Sequence, residues 1–164
     1  MANKQPYRYR VRAMVVGDAE AVARLAHLFA PVSTTVFQGI DAEDVSSWVR
    51  ERLSRPDWAG FVGELEGEVV GFAFCQDMES QPSGFVFPQA KESVYLMYLA
   101  VDEAFRGQGL ARALLEACEG LARDWGRSGL FLDVADDNPA LGLYERLGFE
   151  HLGAQVFLRK KIEP

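Results

Sequence analysis

Six consecutive residues, Arg106-Gly107-Gln108-Gly109-Leu110-Ala111, join an apolar strand-like run, Val94 to Val101, to an amphipathic pattern at helical spacing from Leu110 to Trp125. A tight glycine turn that opens a helix points unpaired backbone N–H groups, and the positive end of the helix dipole, at whatever lies in front of it. The chemistry such a turn supports is anion binding, and a phosphate-bearing ligand fits it. Arg106 and Arg112 flank the turn and supply local positive charge in a chain whose net charge is −7, which would otherwise repel a polyphosphate.

Three phosphate-binding patterns compete for the turn. A Walker-A loop needs Gly-x-x-x-x-Gly-Lys-Ser/Thr, and that spacing with lysine does not occur. A dinucleotide fingerprint accommodates Gly107 and Gly109, with Asp133 near the place of an acidic ribose contact, but puts Arg112 where the third glycine belongs and finds one βαβ unit in the chain. A pyrophosphate cradle of the type Gln/Arg-x-x-Gly-x-Gly/Ala is matched by Arg106, Gly109 and Ala111. Small residues there let a pyrophosphate approach the backbone with no Cβ in the way.

The elements that must carry this turn are legible from periodicity. Arg8 to Val15 predicts a first strand, and Asp18 caps a helix with Val22, Leu25, Ala26 and Phe29 at helical spacing, stopped by Pro31. Asp41 caps a second helix that buries Val45, Trp48, Val49 and Leu53 and ends before Pro56. Gly60 to Leu65 and Glu68 to Gln76 predict a hairpin closed by Glu66-Gly67. Met78 to Glu92, with Pro82, Gly84 and Pro88, predicts a long loop whose Phe85 and Phe87 form a lid, an acceptor wall or anchors to the core. Val94 to Val101 and Leu130 to Ala135, with a helix between them, predict a right-handed β-α-β crossover of parallel strands. On that helix Leu110, Leu114, Ala117, Cys118, Leu121 and Trp125 form the expected buried stripe. Asn138-Pro139 opens a short helix that Gly148 closes, and Phe149 to Leu152 and Gln155 to Lys160 are two last strand candidates.

The bulk numbers exclude several classes. At 164 residues with 49% apolar and 25% charged residues, the chain has the composition of a globular domain with one core. The acidic balance argues against nucleic acid and suits a cationic acceptor such as an amine. No apolar run reaches the length of a membrane span, and Met1 to Arg12 lacks a signal-peptide core, so a cytoplasmic protein without a membrane partner is expected. Cys75 and Cys118 fall within apolar patterns and are expected as buried reduced thiols. His27 and His151 are not in ligand spacing, and no metal site is expected.

From Asn138 the chain reads Asn138-Pro139-Ala140-Leu141-Gly142-Leu143-Tyr144-Glu145-Arg146-Leu147-Gly148-Phe149. Together with the cradle, this C-terminal half resembles the GNAT superfamily of acyl-CoA-dependent N-acyltransferases, closely over Val94 to Leu152 and more loosely in the preceding order of strand, two helices and hairpin. The resemblance implies one domain over residues 1–164. It implies an α+β fold: a central mixed, mostly antiparallel sheet of about seven strands, with one β-α-β crossover and about four helices. It also implies acetyl-CoA as co-substrate, in a cleft where the strand ending at Val101 splays from the strand starting at Leu130. Backbone groups of Leu99, Ala100 and Val101 would pair with the pantetheine arm as though it were another strand. Arg106, Gly107, Gln108, Gly109, Leu110, Ala111 and Arg112 would form the pyrophosphate cradle. Asn138 precedes Tyr144 by one residue fewer than in the commonest family pattern, about 100° of helix. Either Asn138 keeps its cofactor contact through a shortened turn, or Asp137 takes that place and Asn138 is only a cap.

By the same resemblance Tyr144 would direct its hydroxyl at the thioester sulfur and protonate the departing thiolate; the competing role is an aromatic that covers the core. A backbone N–H near Val101 would hold the oxyanion. For the general base, Glu92 at the strand entrance ranks first, ahead of Tyr98 acting through water and Asp133 in the crossover strand. Cys118 as an acyl carrier is disfavoured because it lies on the buried helix face without a histidine, so direct transfer in a ternary complex is expected. The acceptor is expected to be a primary amine on a small molecule or peptide, and family members are often homodimers. The alternative is a non-catalytic acyl-CoA sensor or an interaction module.

Overall fold

Period-two alternation along one strand organises the larger unit. In the computed structural model, which describes residues 8–29, 41–79 and 88–153, the strands are β1 (Arg10–Ala13), β2 (Trp58–Leu65), β3 (Glu68–Asp77), β4 (Ser93–Val101) and β5 (Gly129–Phe131). They form one sheet in the order of the chain, antiparallel from β1 to β4 and parallel between β4 and β5. Along β3, Phe72 and Phe74 belong to the core beneath α1 (Ala19–Phe29) and α2 (Ala42–Leu53). Gly71 and Cys75, on the other face, meet Leu110 and Cys118 of α4 (Leu110–Asp124). With helices over both faces β3 is buried almost throughout, which is why Val69 to Gln76 reads as a nearly continuous apolar run. The β2–β3 connection is the expected two-residue turn, with Glu66 at φ +51° and Gly67 at φ +88°, the positive pair that matches strand twist.

Helix ends follow local chemistry. Asp41 accepts the Glu43 N–H at 3.0 Å and starts α2. Asp18 accepts the Val15 N–H at 2.8 Å and a two-pronged bond from Arg12 at 2.8 and 2.9 Å, closing a 3-10 turn, Val16–Asp18, ahead of α1. The C-terminus of α4 is a Schellman cap: Gly126, at φ +69°, donates to Arg123 and Arg127 donates to Ala122.

Several expectations need correction. The described residues hold five strands rather than about seven. Phe149 to Leu152 is not a strand, because the Phe149 N–H is spent on the Tyr144 carbonyl in capping a helix; Gln155 to Lys160 lies outside the described residues. The strand expected over Leu130 to Ala135 is the shorter β5, which leaves β4 after Phe131. Among the described residues four helices exceed one turn, as expected, and Pro88–Lys91 forms a single further turn, α3, within the predicted loop. Ser33 to Gly39, Phe85 and Phe87 lie outside the described residues. On α4 the buried stripe is Leu110, Leu114, Leu115, Cys118 and Ala122, while Ala117, Leu121 and Trp125 are half-buried. Two contacts set that rotation: Leu110 on glycines of the sheet and Cys118 with its sulfur 3.4 Å from that of Cys75. The chain divides into a compact unit ending at Asp133 and a smaller one beginning at Val134.

Candidate active site

The glycine turn sits where β4 hands over to α4. Asp102 accepts the Ala104 N–H at 3.0 Å and closes a 3-10 turn over Glu103–Phe105. Arg106 then turns its side chain back, and its Nε donates to the Val101 carbonyl at 3.1 Å. Gly107 and Gly109 take φ +75° and +89°, values that L residues with a Cβ rarely adopt. Nothing lies within 4 Å of where a Cβ would stand on either, so the turn is bare backbone on its outer side. The first intrahelical bond is Ala113 N–H to the Gly109 carbonyl at 3.0 Å. Leu110, Ala111 and Arg112 therefore belong to the first turn, whose N–H groups an α-helix cannot satisfy internally, and Gly109 has no side chain to cap them. Arg112 and Arg106 are exposed and Gln108 half-buried.

The helix start is held by a notch that periodicity alone did not reveal. Gly63 and Gly71 pair across β2 and β3. A Cβ on Gly63 would come within 2.4 Å of Leu110 Cδ1, and one on Gly71 within 3.0 Å of Leu110 Cδ2 and of the Ala100 carbonyl. Leu110, 1% exposed, fills the space the two glycines leave. The available signal was glycine inside an apolar strand, which marks close approach.

A second feature is a fork between β4 and β5. Their ladder comprises Ser93↔Gly129, Val94↔Leu130 and Tyr95↔Phe131. Beyond Tyr95, β4 continues to Val101 along β3 while β5 has ended, so one edge of Leu96–Val101 has no β5 partner. That is the strand stretch containing Leu99, Ala100 and Val101. Register also shifts here: Tyr98 pairs with Phe74 and Leu96 with Cys75, leaving Met97 as a bulge. Side chains three apart on a regular strand face opposite sides, but the bulge returns Tyr95 and Tyr98 to the same face, opposite Gln76 and Phe74.

Three of the expected residues can be placed against that fork. Tyr98 packs edge-on against Trp48 with ring centroids 6.0 Å apart. Burial, with the Asp133 charge adding to it, pushes its hydroxyl up to about 12. Asp133 accepts a hydrogen bond from the Tyr95 hydroxyl. Glu92 stands elsewhere, at the closed end, where its carbonyl accepts from Ser128 N and Oγ at 2.8 and 3.1 Å. Its side chain shares a charged hollow with Glu79, Lys91 and Arg127, about 30 Å along the strand from Val101 at 3.3 Å per residue.

In the smaller unit Asn138 Oδ1 accepts the Ala140 N–H at 2.8 Å, and the Leu141 N–H bonds the Asn138 carbonyl at 3.0 Å. Asn138 thus caps a turn, and the hydrogen-bonded helix, α5, runs over Leu141–Arg146. Asp137 is exposed. The C-terminus of α5 is a second Schellman cap: Gly148, at φ +88°, donates to Glu145, and Phe149 donates to Tyr144. The accompanying apolar contact is the Phe149 ring edge-on to the Tyr144 ring, 5.5 Å between centroids. Tyr144 is 9% exposed, and burial pushes its hydroxyl up to about 12.

Residues 22–149 match the profile of the Acetyltransferase (GNAT) family. Human N-acetyltransferase 8B is 34% identical over 116 residues, 70% of this chain and 48% of the relative, so the chain spans about half that protein's length. An N-alpha-acetyltransferase of Sulfurisphaera tokodaii is 25% identical over 151 residues, 91% of this chain and 84% of the relative. Among solved structures, an aminoglycoside N-acetyltransferase in complex with CoA superposes with a TM-score of 0.77 at 21% identity, covering 97% of this chain and 99% of that one. The ribosomal-protein-alanine N-acetyltransferase of Brucella melitensis biovar Abortus 2308 does so with 0.68 at 19% identity, covering 94% and 100%. At those identities the structural likeness speaks for the fold, and the profile match over most of the chain speaks for descent: the protein belongs to the GNAT acetyltransferase family.

Proposed function

We propose that the protein is an N-acetyltransferase that moves an acetyl group from acetyl-CoA to a primary amine of a small molecule or peptide. The observation that carries this reading is the bare turn Gly107–Gly109 opening α4 directly after a strand edge, Leu96–Val101, that β5 has left. Its first-turn N–H groups suit a pyrophosphate, and the strand edge that β5 leaves suits an amide-bearing arm. Leu99, Ala100, Val101, Gly107, Gln108, Gly109, Leu110, Ala111 and Arg112 would hold acetyl-CoA. Arg106 serves the cradle by tying it to the end of β4 through the Val101 carbonyl. The Asn138 oxygen is engaged with Ala140, which supports its role as a cap. Bound acetyl-CoA supplies an activated acetyl thioester.

In balance, the amine nitrogen bonds the acyl carbon, the carbon–sulfur bond breaks, the amine loses a proton and the sulfur gains one. Asp133 is assigned the first proton, because its carboxylate stands at the mouth of the fork and meets Tyr95. Glu92 is the poorer base for its distance along β4. Tyr98, with its hydroxyl near 12, has almost no phenolate at neutral pH and acts as a hydrogen-bonding wall. Tyr144 is assigned the second proton: burial holds its hydroxyl near 12, so it is protonated at neutral pH and has a proton to donate as negative charge develops on the departing sulfur. Relatives named for amine acceptors, an N-alpha-acetyltransferase and an aminoglycoside acetyltransferase in complex with sisomicin, support the acceptor class.

The test is acceptor-dependent release of CoA thiol from acetyl-CoA across polyamines, amino acids, aminoglycosides and peptide N-termini. Release with at least one acceptor is expected. CoA binding without release under every acceptor would instead identify a sensor.

A further inference from the structure

We propose that Tyr95 is a positioning residue for proton transfer, its hydroxyl holding the Asp133 carboxylate in the orientation from which it receives the acceptor's proton. The inference rests on the assignment of Asp133 as the base. Ladder hydrogen bonds tie β5 to β4 as far as Tyr95↔Phe131, and Asp133 comes two residues after that last pair. Its place is therefore not set by the sheet. What reaches it from β4 is the Tyr95 hydroxyl, which donates to Asp133 Oδ1.

Tyr95 is suited to the task because its own ring is fixed. It lies against its cross-strand partner Phe131, 5.9 Å between centroids, a pairing of the kind that stabilises sheets. The phenol keeps its proton, since burial first and the bond to Asp133 second hold its acidity well below that of a free tyrosine. The bond therefore runs from hydroxyl to carboxylate and leaves Oδ2 to take a proton. The titratable groups facing Asp133 from β4 are Tyr95 and Tyr98, and the Met97 bulge is what puts both on one side of the strand.

The experiment is a carbon-13 carboxyl titration of the whole protein, with the Asp133 signal assigned by its loss in Asp133→Asn. A carboxylate that loses a donated hydrogen bond is easier to protonate. Tyr95→Phe is therefore expected to raise the Asp133 midpoint by about one pH unit, a tenfold change in proton affinity. With the fastest acceptor of the panel above, the acid limb of kcat/KM should move up by the same amount and kcat fall roughly tenfold, with acceptor KM little changed. An Asp133 midpoint and acid limb that stay in place in Tyr95→Phe overturn the proposal. Should that variant not fold, Asp133→Asn reads the same bond in reverse: the Tyr95 phenol should titrate at lower pH, and an unmoved phenol overturns it. The two readings separate cleanly. Full turnover in Asp133→Asn removes the base and the positioning role together, whereas a dead Asp133→Asn beside an unaffected Tyr95→Phe removes the positioning role alone.

Discussion

Tyr144 is a single hydroxyl whose chemistry is set by its surroundings. Its carbonyl accepts from both Leu147 and Phe149, at 3.0 and 3.1 Å, and its ring meets that of Phe149, so backbone and side chain are fixed by the same cap. Tyr144→Phe keeps the ring and removes the proton. It is expected to lower kcat roughly tenfold or more, about 1.4 kcal/mol of transition-state stabilisation, while CoA affinity changes little. Steady-state kinetics with CoA titrated separately would check this, and unchanged turnover would remove Tyr144 from the chemistry. The motif containing Tyr144 was readable from the sequence, as was the bareness of Gly107 and Gly109. The partnership of Tyr95 with Asp133 was not, because residues 38 apart in the chain meet only where two strands part.

At the scale of elements, two glycine positions carry testable loads. Gly63 leaves room for Leu110 at the start of α4, and a Cβ there would overlap Leu110 Cδ1 at 2.4 Å. Leu110 is fully enclosed and cannot swing away, so Gly63→Ala is expected to cost about 1–3 kcal/mol as overpacking. It should also weaken CoA binding by displacing the first turn of α4; a melting temperature and CoA-induced shift both equal to wild type would contradict this. Gly148 sits at φ +88° with open space around it, so the strain there is in the backbone rather than in crowding. Gly148→Ala is expected to cost about 1–2 kcal/mol and to lower kcat by disturbing Tyr144. Gly126→Ala, in the equivalent cap of α4 at φ +69°, should lose comparable stability. A kcat loss in Gly148→Ala no larger than that in Gly126→Ala would count against the cap as a positioning device.

At the scale of the whole molecule, ligand and pH should both register in stability. CoA at roughly 100-fold its Kd should add about 2.7 kcal/mol, read as a rise in melting temperature; no shift would sink the donor assignment. Tyr98 and Tyr144 are pushed from the ordinary 10.0 to about 12 by burial, and Tyr95 is raised as well. The unfolded chain begins to release these protons near pH 10 while the folded chain keeps them. Their contribution is therefore fully present below pH 10 and is lost as pH rises from about 10 to 12. Denaturant midpoints measured from pH 8 to 11.5 should be flat and then fall, and less steeply in Tyr144→Phe. A midpoint that rises through that range would contradict the buried tyrosines.

Neighbours along the chain were enough to specify the hairpin at Glu66-Gly67, the helix starts at Asp18 and Asp41, the glycine turn that opens α4, and the family motif around Tyr144. These are local because turn geometry, capping and amphipathic period involve residues a few positions apart. Features that hang on register came from packing across strands. That packing shortened the crossover strand to Gly129–Phe131 and turned the buried stripe of α4 toward Leu115 and Ala122. It also matched Gly63 and Gly71 to Leu110, and through one bulge at Met97 put Tyr95 and Tyr98 on the same face beside Asp133. A one-residue shift in pairing reverses which side of a sheet a residue faces, and pairing is set by contacts across strands that no periodicity along one strand records.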